Sequence, residues 1–260
     1  MKLGVIGYGV VGKATAQAFR QKGHHEVLVN DLKPIASEIN YSLRTLAENC
    51  DAIFLCVPTP YNNPLVHITD VVYQLAEYMP KLIVFKSTVP PTTTEDFTKQ
   101  HPHLHFACNP EFLRQDYAFE DAIAPDRIVI GASNQADSKI LQRIYEAWTC
   151  PKIICYPTTA ELIKYASNMY LVNKVAYALE IARLCKALGA EPSKVMRGVG
   201  LDKRITPSHL NPALGKIPMH SPCLAKDMHT FLKFLESTGE KSELLSDIWK
   251  NGVENNDEQK

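Results

Sequence analysis

Continuous apolar runs alternate with amphipathic stretches over the first 131 residues. Runs at 3–6, 26–30, 52–57, 82–86, 104–108 and 127–130 read as strands. Several lack polar alternation, as strands covered on both faces do. Strand–helix–strand order then implies a parallel sheet with right-handed crossovers. A further short run, 152–156, precedes a change of character, and from Thr158 the chain reads as almost wholly helical. Thr158 is placed to cap a helix while Glu161, three residues on, reaches back. Leu162, Tyr165, Met169, Val172, Ala176, Leu179, Ala182 and Leu188 recur mainly at spacings of three and four. They predict a long amphipathic helix ending at Gly189. Shorter helices are expected over 192–198, 222–235 and 241–253, and the polar tail 254–260 is expected to fray.

Charge removes some functions at once. The 28 Lys+Arg balance 28 Asp+Glu, so there is no electrostatic case for nucleic-acid or anionic-membrane binding. With 260 residues, 45% hydrophobic and 22% charged, the composition is that of one large globular domain or two smaller ones. No apolar run reaches the ~20 residues of a membrane span. A strand beginning at Leu3 leaves no room for a signal peptide, so a soluble, cytoplasmic protein is expected. Seven cysteines with no CxxC suggest neither a disulfide framework nor a zinc ribbon. Most lie in apolar runs and read as small buried hydrophobes; Cys223, after Pro222 and before Lys226-Asp227, does not.

Gly7-Tyr8-Gly9-Val10-Val11-Gly12 is a GxGxxG motif directly after the first strand and at the start of a helix. Gly7 permits the tight turn, Gly9 lets a pyrophosphate approach the backbone, and Gly12 allows close helix–strand packing. The helix start offers unpaired N–H groups to phosphate. Asp31 ends the second strand, where a carboxylate bonds ribose hydroxyls and repels a 2′-phosphate, so NAD is expected over NADP, with Lys33 tempering the exclusion. The fold class is therefore α/β: a Rossmann-type parallel-sheet domain over 1–157, then an all-helical central domain over 158–260 built on one long helix.

Chemistry-bearing segments follow the strands. Val57-Pro58-Thr59 follows the third, Ser87-Thr88 the fourth, and Asn109-Pro110-Glu111-Phe112-Leu113 the fifth, at the strand ends where an open α/β sheet binds its ligands. Lys164 and Asn168 share one face of the long helix. Ser221 suits an N-cap and Pro222 the first helical position, which sets Cys223 in the first turn. The positive dipole end and Lys226 both favour its thiolate, making Cys223 a candidate nucleophile. His101, His103 and His105 read as a loop before the fifth strand rather than a metal site, having no acidic partner alongside, and Asp116, Glu120 and Asp121 as a solvated acidic loop.

Taken together, these motifs resemble the UDP-glucose/GDP-mannose dehydrogenase family. The match runs from Gly7-Tyr8-Gly9 through Asn109-Pro110-Glu111-Phe112-Leu113-Arg114, 125–131 and 160–168 to Cys223-Leu224-Ala225-Lys226-Asp227. The resemblance implies a two-step oxidation of a nucleotide-sugar primary alcohol to the acid, using two NAD. It makes Cys223 the nucleophile, Glu111 the activator of hydrolytic water and Thr88 its helper. Lys164 and Asn168 would stabilise oxyanions, and Asp227 would assist proton movement. It also implies that Lys226 lies toward the cofactor, that Phe112 and Leu113 touch substrate, and that Arg204 reaches across a homodimer to the partner's substrate. The dimer is expected along the long helix through Tyr170, Val172, Tyr177 or Ile181.

The match departs from the family in two places. The segment Gly215 to Pro222 carries side chains where the family has glycines, so the sugar pocket is expected to differ, with Lys216 or His220 available to an anionic group. Gln115 also stands where a glutamate is common. The family further implies a third, C-terminal domain that binds much of the nucleotide. Three origins stay open for its absence: a short form, a partner chain or a fragment. Two other functions remain alternatives, an NAD-dependent hydroxyacid dehydrogenase that needs no cysteine and a non-catalytic NAD-binding subunit.

Overall fold

Seven strands form close to where the apolar runs fall: β1 (Lys2–Ile6), β2 (Glu26–Asn30), β3 (Ala52–Leu55), β4 (Ile83–Phe85), β5 (Phe106–Cys108), β6 (Ile128–Ala132) and β7 (Lys152–Cys155). The structure, a computed structural model, describes residues 1–36, 39–210 and 222–257. These divide into two units, Met1–Lys164 and Tyr165–Lys260.

In the first unit the sheet order is β2-β1-β3-β4-β5-β6-β7. Helices α1 (Val10–Gln21), α2 (Leu43–Asn49), α3 (Val66–Ala76), α4 (Thr93–Gln100), α5 (Ala118–Ile123) and α6 (Gln135–Ile144) link the strands. Alternate residues face opposite cores. Leu3, Val5, Phe54 and Val84 pack on one side with Phe19 and Trp148, while Ile6, Leu55, Ile83 and Phe85 pack on the other with Ile68 and Phe97. Covering both faces is why the strands read as unbroken apolar runs.

One expectation of the parallel sheet needs correcting: β6 pairs antiparallel to β5, and β7 then runs parallel to β6. The link from β5 to β6 holds only a 3₁₀ turn, Gln115–Tyr117, and the six-residue α5. That link starts β6 at the end of the sheet where β5 stops, so no crossover is made. The same link corrects the reading of an acidic loop. Glu120 and Asp121 lie in α5, and Asp121 takes the Arg114 backbone N–H at 2.8 Å and its guanidinium at 2.6 and 3.0 Å. His105 also has an acidic partner, Asp137 on α6 at 3.1 Å, supplied from 32 residues away.

The long helix is α7 (Pro157–Ala187), 31 residues, followed by Gly189 at φ +68°, a left-handed stop that glycine adopts without strain. Its start corrects the expected capping box. Pro157 occupies the first helical position, where its missing N–H is no loss, so Thr158 and Glu161 lie inside the helix. Their side chains turn to α4 instead: Thr158 donates to Glu95 at 2.8 Å, and Glu161 accepts from Thr94.

In the second unit, α7 continues with α8 (Pro192–Gly200), α9 (Pro222–Thr238) and α10 (Glu243–Asp257). Helix α10 runs through the segment expected to fray as far as Asp257, and residues 258–260 lie outside those described. Met169 and Val172 pack with Met228, Leu245 and Ile248, and Tyr165 stacks on Phe231 at 5.2 Å. Leu162 and Leu188 of the predicted apolar stripe are exposed. Val172 is fully buried, and Ile181 packs with Ala178 and Met196. Val172 is thus not presented to a partner as the sequence suggested, Ile181 is half-buried, and Tyr170 and Tyr177 are exposed. Among the described residues no helix is long and apolar enough to cross a membrane.

Candidate functional site

The turn after β1 is set by two glycines that the fold cannot replace. Gly7 has φ +89°, and a Cβ there would stand 2.6 Å from the Cys56 carbonyl oxygen. A Cβ on Gly12 would stand 1.8 Å from the Gly7 carbonyl oxygen. Gly9 differs. Its φ is −75°, and nothing lies within 4 Å of a Cβ built on it. The protein's own packing makes no demand for glycine there, which is what a bound pyrophosphate above the turn would explain. Gly9 caps α1 without a side chain, and α1 has no acidic residue in its first turn, so the N–H groups of Val10, Val11 and Gly12 start a helix suited to phosphate.

Asp31 lies where the ribose carboxylate is expected. One of its oxygens accepts the Tyr8 N–H at 2.7 Å and the other the Lys33 N–H at 2.8 Å. Asn40 braces it, accepting from the Asp31 N–H at 2.9 Å and donating to the Asp31 carbonyl at 2.8 Å. Sequence reasoning passed over Asn40 because its pairing closes a loop rather than a motif. After β3, Pro58 is exposed and Val57 and Thr59 are half-buried. The Ser87 hydroxyl turns back to the Val57 carbonyl at 2.7 Å, tying the ends of β3 and β4 together, and Thr88 is half-buried beside it.

The first unit also gathers Glu111, Phe112, Leu113 and Lys164. Lys164 Nζ lies 3.0 Å from Glu111 Oε1, with side chains 8% and 15% exposed. Glu111 Oε2 accepts the Leu113 N–H at 2.6 Å. The Phe112 ring carries Arg127 at 3.8 Å and Lys164 at 5.5 Å. Beneath this loop is a buried cluster that the sequence reading missed. Lys86 Nζ donates to Asn109 Oδ1 at 2.8 Å, Tyr145 OH donates to the same oxygen at 2.6 Å, and Asn109 Nδ2 donates to the Val129 carbonyl at 2.7 Å. Burial pulls the Lys86 ammonium down to about 8. A lysine closing an apolar strand, directly before Ser87-Thr88, was its one visible signal.

In the second unit, Asn168 Nδ2 donates to Asp227 Oδ2 at 2.6 Å, and Lys226 Nζ lies 2.6 Å from Asp227 Oδ1. Asp227 is 2% exposed, so its charge is held by these two partners. Cys223 is exposed in the first turn of α9. Ser221, Lys216, His220 and the rest of 211–221 lie outside the described residues. Four of the other thiols are poorer nucleophiles: burial pushes Cys50 and Cys56 up to about 12 and raises Cys108 and Cys155. Arg204 is exposed, its guanidinium held by Asp202 at 2.6 and 3.0 Å, a surface pairing that a stronger anion can displace.

A parallel five-strand core, a glycine-cornered first turn and a carboxylate at the end of β2 define a dinucleotide-binding unit of the dehydrogenase class. The chain belongs to the UDP-glucose/GDP-mannose dehydrogenase family. Models of that family's NAD binding domain and central domain match residues 35–149 and 158–257. A UDP-glucose 6-dehydrogenase of Rickettsia bellii is 30% identical over 98% of this chain and 67% of its own length. One from Rickettsia conorii is 38% identical over 73% of this chain and 46% of its own. A UDP-glucose dehydrogenase from Pyrobaculum islandicum superposes with a TM-score of 0.84 at 31% identity, over 96% of this chain and 68% of that one. The chain thus spans between about half and two thirds of these relatives. NAD is the cofactor this family's domain binds, and the open ground above Gly9 fits it.

Three outcomes follow. Gly9→Ala is expected to fold with a loss of no more than about 1 kcal/mol while NAD affinity drops about tenfold or more; Gly12→Ala is expected to fail in folding. Calorimetric titration with NAD beside thermal melting checks both, and a Gly9→Ala chain that binds NAD normally would remove the phosphate reading. Brief alkylation near neutral pH, mapped by mass spectrometry, is expected to label Cys223 first of the seven cysteines, because burial protects or deactivates its competitors.

Proposed function

We propose that the chain oxidises the primary alcohol of a nucleotide sugar, of the UDP-hexose class, to the carboxylate, in the cytoplasm and as a homodimer. The observation that carries this reading is the exposed Cys223 in the first turn of α9, four residues before an Asp227 held by Asn168 and Lys226. NAD, when bound, accepts the hydride in each of the two oxidations. The Cys223 thiolate attacks the aldehyde made in the first, holding it as a thiohemiacetal, and carries the acyl group as a thioester after the second. Lys164 and Asn168 donate to the oxyanion that each attack creates. Glu111 takes the proton of the water that cleaves the thioester, with Thr88 orienting that water. Phe112 and Leu113 contact the sugar, Asp227 orients the Asn168 amide by accepting its N–H and assists proton movement, and Arg204 serves the partner's substrate. Ser87, Thr59, Pro58 and Val57 flank the cofactor, and Lys226 approaches it. We place the domain boundary between residues 157 and 158, in the first turn of α7.

The relatives named as UDP-glucose 6-dehydrogenases support the substrate class, and the cysteine in a helical first turn supports covalent catalysis over single-hydride chemistry. Incubating the chain with NAD and a panel of UDP-sugars while following NADH absorbance is expected to show two NADH per sugar oxidised. Cys223→Ser is expected to lower turnover by about 10³-fold or more. Full activity in Cys223→Ser would point to a hydroxyacid-type dehydrogenase, and NAD binding without turnover of any sugar to a non-catalytic subunit.

The dimer is supported by the exposed face of α7, where Tyr170 and Tyr177 are 64% and 50% exposed. Light scattering at micromolar concentration is expected to return twice the chain mass, and Tyr170→Asp with Tyr177→Asp is expected to return the single mass.

A further inference from the structure

Helix α4 begins without a cap of its own. Thr92 precedes it at φ +74° and supplies no capping bond to the helix N–H groups, its hydroxyl donating instead to Asp96 at 2.9 Å. The missing acceptor comes from another helix. Glu161 of α7, 1% exposed, accepts the Thr94 N–H at 2.9 Å and the Thr94 hydroxyl at 2.6 Å through one oxygen. Residues 158, 161 and 164 lie three apart, hence on one face of α7. Each reaches a different part of the same region: Thr158 to Glu95, Glu161 to Thr94 and Lys164 to Glu111. The loop that leads into α4 carries Ser87 and Thr88 and is stiffened by Pro90 and Pro91. Holding the first turn of α4 therefore fixes one end of the Thr88 loop against the helix that carries Lys164.

We propose that Glu161 is a positioning residue of this site: it caps α4 from α7 and so holds Thr88 and Lys164 in register. The proposal rests on the roles given above to Thr88, Glu111 and Lys164. Burial is the main cause that pushes Glu161 up to about 7, with Glu95 on α4 adding to it and the bonds from Thr94 opposing it. Cys108, at the end of β5, faces it as well, and a bond from the Thr92 backbone adds to the opposition. The ionised carboxylate is the stronger acceptor, because charge-assisted bonds to N–H and O–H exceed neutral ones. The cap is accordingly tight above pH 7 and slack below.

Stability moves the other way. The folded-state value lies above the ordinary 4.5, so the folded chain binds the extra proton between the two. As pH rises from about 4.5 to about 7, the wild type loses stability relative to a chain with no ionisable group at 161. A merely structural residue would make turnover follow stability. A residue that positions through its charge makes turnover rise across the window in which relative stability falls.

Glu161→Gln keeps the accepting oxygen and removes the charge. With NAD and a UDP-sugar, kcat at about pH 8 is expected to fall about tenfold, with KM for sugar and the Kd for NAD within about threefold. The wild-type inflection of kcat near pH 7 is expected to vanish. An unchanged kcat and pH profile in Glu161→Gln overturns the proposal. If the wild type turns over no sugar, the proposed function fails and the positioning role is read separately by hydrogen exchange on the full chain. Corrected for intrinsic rate and referenced to the core amides of β1 to β5, which report global stability, protection of the Thr94 amide is expected to rise between about pH 6 and pH 8 in the wild type and not in Glu161→Gln. Equal protection at both values in the wild type overturns the cap.

Discussion

A sheet covered on both faces decides where chemistry can occur in the first unit. Leu3, Val5, Phe54 and Val84 fill one side and Ile6, Leu55, Ile83 and Phe85 the other, so a polar group in mid-strand would be stranded without water. Polar residues are pushed to the ends of the strands, where the backbone leaves the sheet. Gly7, Asp31, Val57, Ser87 and Asn109 all follow the last residue of a strand or stand close to it. Since β1 to β5 run parallel, those ends share one edge of the sheet. The site is in this sense a by-product of burying the strands.

The strands and helices were largely legible because burial on two faces and on one face leave different periodicities. What failed depended on partners distant in the chain. Thr158 and Glu161 have the spacing of a capping box, yet Pro157 starts the helix earlier and both side chains answer to α4. The reversal of β6 is encoded in no apolar pattern, and the β5–β6 link is as long as links that join parallel strands elsewhere in the sheet. Val172 read as available to a partner because the stripe of α7 is broad, but α9 and α10 cover it.

The site was legible unevenly. Gly7, Gly9, Gly12 and Asp31 carry their meaning in spacing, whereas Glu111 and Lys164, 53 residues apart, were joined only by the family resemblance. Lys86, Asn109 and Tyr145 directly follow β4, β5 and α6 and were not assembled at all. Their arrangement has a cost, since a buried ammonium held by an amide and a phenol is poorly compensated, and the lowered value of Lys86 registers it. What the cluster secures is the start of the segment Asn109 to Leu113, fixed to β4 and to the Val129 carbonyl before the chain turns toward Glu111.

The bracing of Asp31 bears on how such a protein could change its cofactor. The carboxylate expected to meet free ribose hydroxyls also holds the Tyr8 N–H of the glycine turn and the Lys33 N–H of the following bend. Exchanging it for a neutral or basic residue, the usual first move toward a phosphorylated dinucleotide, would relax the glycine turn at the same stroke. The expected selectivity and the shape of the turn rest on one side chain here. A lineage shifting between the two dinucleotides would first have to acquire a substitute brace for that turn, and Asn40, already bonded to the Asp31 backbone on both sides, is the side chain nearest to serving as one.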